Sequence, residues 1–357
     1  MANSALLAML AICAKVMGVA CEDHAPQATL LFAGDAMMHK SQLAAAQQPD
    51  GSYAFDECFA GLAPVISAAD YAVVNLEGPL GGKPYAGYPC FCMPDSYGYA
   101  LRDAGFDMLL TANNHTLDRN DRGLRRTVAM LDSIGVDHLG TYANPAERAE
   151  AIPYIVDVNG FKIGFLNYTY GTNGIKPQTD VVVDYIDPNI IKRDIAATRQ
   201  AGAELVCVAI HWGIEYKLLP ETSVKRLADE LLAQDVDMVI GGHPHVIQPM
   251  EMRRRDDGRP QLLVYSLGNF ISGMSKTDCR GGAMVEAYIS RTPQGEAHVD
   301  SAAYRLVFTE QPTKSGQNFR VVEADSATTW LPQRDAFVAS ATRIFSAHNI
   351  DVPPLKK

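Results

Sequence analysis

The sequence predicts an α/β protein built on mixed sheets, and three observations carry that expectation. Continuous apolar runs of strand length recur at TLLFAG (29–34), YAVVNL (71–76), DMLLTA (107–112), ELVCVAI (204–210), VDMVIG (236–241) and LLVYSL (262–267). Runs without alternation read as strands buried on both faces. Between them lie stretches with helical apolar spacing, and hairpin-like stretches are interspersed. Strands alternating with helices imply parallel pairing, and hairpins add antiparallel strands.

The elements follow in order. Leu124, Val128, Leu131 and Gly135 recur at helical spacing behind the capping candidates Asn120 and Asp121. VDVNGFKIGF (156–165) sets Asn159-Gly160 between alternating apolar residues, a hairpin signature. Asp187-Pro188 is an N-cap followed by proline at the first helical position, ahead of Ile190, Ile191 and Ile195. Val224, Leu227, Leu231 and Leu232 form a third apolar stripe. Residues 282–290 and 298–308 read as strands, and Asp335–His348 reads as helix after a polar stretch from about 311. No internal repeat interrupts the pattern. The expected organisation is a leader over 1–24, one domain over 25–310, and a C-terminal extension over 311–357 that packs on it.

Composition narrows the function classes. The 357 residues are 47% apolar and 20% charged, which excludes a disordered chain, a collagen-like chain and a coiled coil. The net charge of −10 argues against non-specific nucleic-acid binding and against docking on anionic lipid. It leaves a metal site open, since local ligands decide that. Residues 5–14 (ALLAMLAICA) are too short to cross a bilayer, which takes about 20 residues. The run has the length of a signal-peptide core. Gly18 and Ala20 lead to Cys21 like a lipoprotein cleavage box, although no Lys or Arg precedes the run. The expectation is an extracytoplasmic envelope protein, with Cys21 either lipidated as its membrane attachment or an ordinary thiol. Cys58, Cys90, Cys92, Cys207 and Cys279 are too sparse for a disulfide framework. Cys90 and Cys92 lack a second ligand pair at zinc-finger spacing, so they read as buried or loop thiols. A structural or redox role for that pair is the weakest of the functional readings.

Each expected core strand runs into a polar cluster: GDAMMH (34–39), NLEGP (75–79), ANNHTLD (112–118), HWGIEY (211–216), GGHPH (241–245) and SLGNF (266–270). In open α/β sheets ligands bind beyond the carboxyl ends of strands. The clusters hold Asp35, Glu77, Asn114, His115, His211, His243 and His245. Imidazole nitrogens with carboxylate and amide oxygens suit a borderline divalent metal. The glycines before His243 allow close backbone approach. One histidine after a strand is often a hydrogen-bonded core residue; six clusters in one structural position are far more specific.

In this order the clusters resemble the calcineurin-like metallophosphoesterase pattern. More narrowly, GDAMM, NLEGPL, TANNHTLDR, HWGIEY, GGHPHVIQP and YSLGNF resemble the CapA family of bacterial poly-γ-glutamate capsule-synthesis proteins, from about residue 29 to 273. The resemblance implies a four-layer α/β/β/α sandwich of the metallophosphatase type with the site at the sheet edge. It implies one metal on Asp35 and His245 and a second on Asn114, His211 and His243. Glu77 would bridge them, and His115 would be a non-ligand acid near the leaving group. The cofactor would be one or two ions of Mn, Fe or Zn. Two departures stand out. Met37 occupies a position usually held by histidine, and Glu77 is one methylene longer than the usual aspartate. His39 is a candidate replacement for the missing imidazole.

Two functions follow. The first is a divalent-metal hydrolase, phosphoesterase-like, in capsule or poly-γ-glutamate biosynthesis. Glu215 would orient His211 or accept a substrate proton, unless it is a solvated carboxylate. Asp118 would hold the His115 tautomer or cap a helix, and Asn269 would donate to a substrate oxygen or close a turn. The second is a non-catalytic envelope protein that binds an anionic polymer or helps export it, with capsule synthase or export proteins as partners. Tyr85, Tyr88, Phe91, Tyr97 and Tyr99 either line an entrance to the site or pack internally.

Overall fold

The computed structural model describes residues 27–324 and 331–355. The apolar run at 5–14 and Cys21 lie outside the described residues. Among the described residues, no helix is long and apolar enough to cross a membrane.

Two mixed sheets face each other. The first runs Arg320–Glu323, Ala297–Glu310, Gly281–Arg291, Ala28–Ala36, Tyr71–Leu76, Met108–Leu110 and Asp137–Leu139, with Asn269–Ile271 parallel to the end of Ala28–Ala36. The second runs Met250–Arg254, Pro260–Val264, Met238–Gly242, Leu205–His211, Phe161–Thr169 and Tyr154–Val158. Strand periodicity explains the layers. Leu30 and Phe32 point into a cluster between the sheets with Phe165, Cys207 and Leu262. Leu31 and Ala33 point outward, onto Phe59, Ile66, Leu101 and Leu131 of the helical segments on that side. On the second sheet, Val206 and Val208 point outward onto Ile191, Ile195, Val224 and Leu231 of the helices Pro188–Gln200 and Thr222–Leu232. A strand covered on both faces has no reason to alternate, which accounts for the unbroken apolar runs. The result is a four-layer α/β/β/α sandwich.

Local signals resolve as the chemistry dictates. Asn159 and Gly160 both adopt positive φ (52° and 84°), as a two-residue hairpin of the mirror-image type requires. The Asp187 carboxylate accepts from the N–H groups of Asn189 and Ile190 and caps its helix. Asp121 corrects the sequence expectation. It does not cap helix Asn120–Ile134, whose N-cap is Arg119. Its carboxylate instead accepts from Gln178 N, Thr179 N and Thr179 Oγ1, pinning a distant loop. Gly135 is the left-handed C-cap of that helix and not part of its apolar stripe.

The C-terminal helix Pro332–His348 inserts Phe337, Ala341 and Phe345 into the inter-sheet cluster. The residues after it bond to both sheets. Ile350 exchanges backbone bonds with Met250 and Met252, and Pro353 and Leu355 do so with Tyr304. The segment thus staples the two edges together.

The parallel strands of both sheets end at one rim. There Gly241 and Gly242 allow contacts that a side chain would forbid. A Cβ on Gly241 would lie 2.1 Å from the Tyr265 carbonyl oxygen, and one on Gly242 would lie 2.9 Å from Asp35 Oδ1. Gly241→Ala is therefore expected to lower stability by about 1–3 kcal/mol through overpacking against backbone. Urea unfolding should show a lower midpoint at unchanged slope.

Candidate metal centre

Asp35 ends the strand Ala28–Ala36 and is fully buried. Its Oδ1 accepts from Asn75 Nδ2 at 2.8 Å, and its Oδ2 accepts from the His243 backbone N–H at 3.3 Å. His245 Nδ1 lies 3.3 Å from the same Oδ2. Burial by itself would raise this carboxyl, but the His245 bond, the nearby imidazoles and Asn75 outweigh it and hold it at about 2. Glu77 follows the neighbouring strand and is equally buried. Burial and then the Asp35 charge push its carboxyl well above the usual carboxylate range. Two carboxylates in one dry site cannot both ionise cheaply.

The histidines come from the second sheet. His211 ends Leu205–His211, and its Nε2 lies 2.8 Å from Asn114 Oδ1. Asn114 Nδ2 donates to Asn173 Oδ1 at 3.3 Å, which fixes the amide with its oxygen toward His211. His243 and His245 follow Met238–Gly242 in left-handed backbone, with φ of 98° and 58°. Non-glycine residues held there cost of order 1–3 kcal/mol each, and such outliers cluster at functional sites. Asn269 Oδ1 lies 3.1 Å from His245 Nδ1, while its Nδ2 donates to the Cys279 carbonyl at 2.8 Å. With two oxygens beside Nδ1, the His245 proton sits there and Nε2 carries the lone pair.

His115 and Asp118 form a second unit at the rim. His115 Nδ1 lies 2.7 Å from Asp118 Oδ2, which also accepts from the Phe91 N–H at 2.6 Å. The Phe91 ring packs edge-on against His115 at 4.5 Å. Of the aromatic segment, Tyr88 is exposed beside Phe91, whereas Tyr97 is buried with its hydroxyl on the Met37 carbonyl. Tyr85 packs on Tyr53, and Tyr99 lies under the Arg102 guanidinium.

The donor set fits a divalent cation. Glu77 Oε1 is buried without a hydrogen-bond partner, and so is His243 Nδ1. Glu77 Oε1 lies 3.8 Å from His211 Nε2 and 3.7 Å from His245 Nε2. Those spacings are too long for hydrogen bonds. They are close to the edge of about 3.4 Å between two ligands that share one ion at bonds of about 2.1 Å. By mutual distance the donors form two groups, each within 4.8 Å: Asp35, Glu77 and His211, and Glu215, His243 and His245. Glu215, expected near His211 from its sequence spacing, thus sits in the group of the other two histidines. A cavity of about 30 Å³ lies beneath the site, lined by Asp35, Asn75, Asn167 and His211 among others.

His39 is placed otherwise than a ligand. Its Nδ1 accepts the Gly273 N–H at 3.1 Å, so the proton of the neutral ring is on Nε2 and no lone pair remains for a metal. Met37 is buried, its carbonyl held by Gln42 and Tyr97. Sequence reasoning missed Asn75, which donates to both carboxylates, and Tyr170, whose ring lies 4.6 Å from that of His243. Tyr170 directly follows strand Phe161–Thr169, so the strand-end rule would have found it had it been applied there. Cys90 is exposed, Cys92 is buried, and both are free thiols.

Comparison with known proteins identifies a family and its members. Residues 29–274 match the family described as bacterial capsule synthesis protein PGA_cap. The chain is 25% identical over 276 residues to the capsule biosynthesis protein CapA of Bacillus anthracis, covering 73% of this chain and 64% of that one. It is 28% identical over 275 residues to the PGA biosynthesis protein CapA of Bacillus subtilis (strain 168), covering 75% and 69%. A probable polyglutamine synthesis accessory protein of Mycobacterium tuberculosis is 23% identical over 57% of this chain and 56% of its own. The chain thus spans about two-thirds or less of these relatives' lengths. A solved structure from Thermus thermophilus superposes with a TM-score of 0.40 at 11% identity, covering 72% of this chain and 93% of that one.

Burial, and then the neighbouring His245 and His115, push the His39 imidazole down to about 4. Between that value and the ordinary 6.5, the unfolded chain binds the proton and the folded chain does not, so stability falls with acidification. His39→Gln removes this contribution. The variant is expected to lose about 1–2 kcal/mol less stability than the parent between pH 7 and pH 5, read by urea unfolding of chelator-treated protein.

Proposed function

The chain belongs to the PGA_cap family of bacterial capsule synthesis proteins, and from that premise we propose that it acts in the cell envelope on an anionic capsule polymer, of the poly-γ-glutamate kind, or on a phosphoester linked to its synthesis, through a divalent-metal hydrolase site. The observation that carries this reading is the buried, partnerless Glu77 Oε1 between two imidazole nitrogens. A lone buried carboxylate oxygen is costly unless a proton or a cation meets it.

Asp35, Glu77, Asn114, His211, His243 and His245 would hold one or two ions of Mn, Fe or Zn. When bound, such an ion supplies Lewis acidity toward an oxyanion and toward a water. The protein's own residues do the rest. Asp118 fixes the His115 ring through Nδ1, leaving Nε2 to give a proton to the leaving oxygen. Asn269 keeps the His245 proton on Nδ1 and so aims Nε2 inward. Asn75 shares its amide between Asp35 and Glu77. The binding reading without turnover draws on Met37, since a thioether is a weak partner for these ions; there a cation would join protein and polymer carboxylates. In either reading, a lipid on Cys21 would tether the chain, and capsule synthase or export proteins would be its partners.

Elemental mass spectrometry of the full chain, purified without chelator, should find about one or two Mn, Fe or Zn per chain, lost in a His243→Ala, His245→Ala double variant. No metal in the parent after reloading would sink the proposal. With metal in place, His115→Ala should reduce phosphodiester turnover by about 10²–10⁴-fold with metal content unchanged. Metal bound without turnover in the parent would favour the binding role.

A further inference from the structure

We propose that Glu215, together with His243 and His245, holds a divalent transition metal and takes the place of the imidazole that position 37 does not supply. This rests on the metal reading above and names a ligand beyond the six that the family resemblance implies.

The three residues offer donor atoms within 4.8 Å of one another. His243 is 3% exposed and its Nδ1 has no hydrogen-bond partner, so a buried lone pair or proton at this group stands unmet. Glu215 is half-buried, which keeps one side of the group open to solvent. Two imidazoles and one carboxylate with an open position form a donor set suited to Zn, Mn or Fe(II).

The backbone explains why Glu215 reaches this group. It lies four positions after His211, and a helix there would stack the two. Instead Gly213 and Tyr216 take left-handed φ of 86° and 67°, which turns the chain. Trp212 N donates to the Gly242 carbonyl at 3.1 Å, and Tyr216 N donates to the Pro244 carbonyl at 2.8 Å. These bonds bracket Glu215 and clamp its loop onto the turn that carries His243 and His245.

The alternatives at the first-metal position are closed. Met37 has only a soft thioether to offer, and its backbone is locked by the Ile271, Gln42 and Tyr97 bonds. The His39 Nδ1 lone pair is occupied by the Gly273 N–H. Among the described residues, the carboxylate that groups with His243 and His245 is Glu215, which is half-buried.

The test is metal affinity and stoichiometry of the full chain with Mn²⁺ and with Zn²⁺, by chelator competition and elemental analysis. Glu215→Ala and Glu215→Gln would stand beside Glu77→Gln and the surface control Asp229→Ala. Loss of an outer partner typically costs about 10–100-fold in metal affinity, so loss of a direct ligand should cost at least that. The expected result is about one ion fewer per chain, or a drop of that size at one site, in both Glu215 variants. Thermal unfolding of the metal-free variants should match the parent, and Asp229→Ala should bind as the parent does. Parent-like affinity in both Glu215 variants, with Glu77→Gln impaired, overturns the role of Glu215 and leaves the metal centre standing. A parent that binds neither ion overturns both.

Discussion

Two carboxylates, Asp35 and Glu77, are buried side by side at the rim where two sheets meet, and the charged groups acting on them are imidazoles and other carboxylates. Burying an ionised carboxylate is expensive unless donors or a cation satisfy it. Asp35 is met by Asn75, the His243 N–H and His245. Glu77 is met only at Oε2, by Asn75, and its free Oε1 faces imidazoles at distances that suit ligands better than hydrogen bonds. The surrounding architecture is arranged around that imbalance.

The arrangement needs both sheets at close quarters. Asn167, on the second sheet, accepts from Ala112 N of the first and donates to the Ala209 carbonyl. Leu267 N donates to the Gly241 carbonyl, and Asp35 N donates to the Gly268 carbonyl. Such cross-links carry the strand ends into one rim, and glycines at 34, 241 and 242 remove the side chains that would keep them apart. At the far end, the inter-sheet cluster and the C-terminal staple hold the same spacing. The strained backbone at His243 and His245 persists because its neighbours over-determine it.

Much of this was legible in the linear chain. Unbroken apolar runs mark doubly covered strands, so the polar clusters that end them mark one edge. Asp187-Pro188 and Asn159-Gly160 encode their own local geometry through a cap and a turn, and both behave as their chemistry demands. Asp121 was not legible. Its carboxylate is equally able to cap a helix or to hold a loop, and the loop at 178–179 that it does hold lies far along the chain.

The sequence by itself determined the types of donor and the order in which strands present them, because a buried parallel strand can carry polar groups only where it leaves the sheet. Tertiary structure decided which donors meet. His39 lost its lone pair to Gly273, more than two hundred residues away. Glu215 is brought to His243 and His245 by a loop with two left-handed residues and two backbone bonds to a neighbouring loop. Spacing along an irregular segment sets reach and not direction; direction comes from the backbone bonds that distant strands supply.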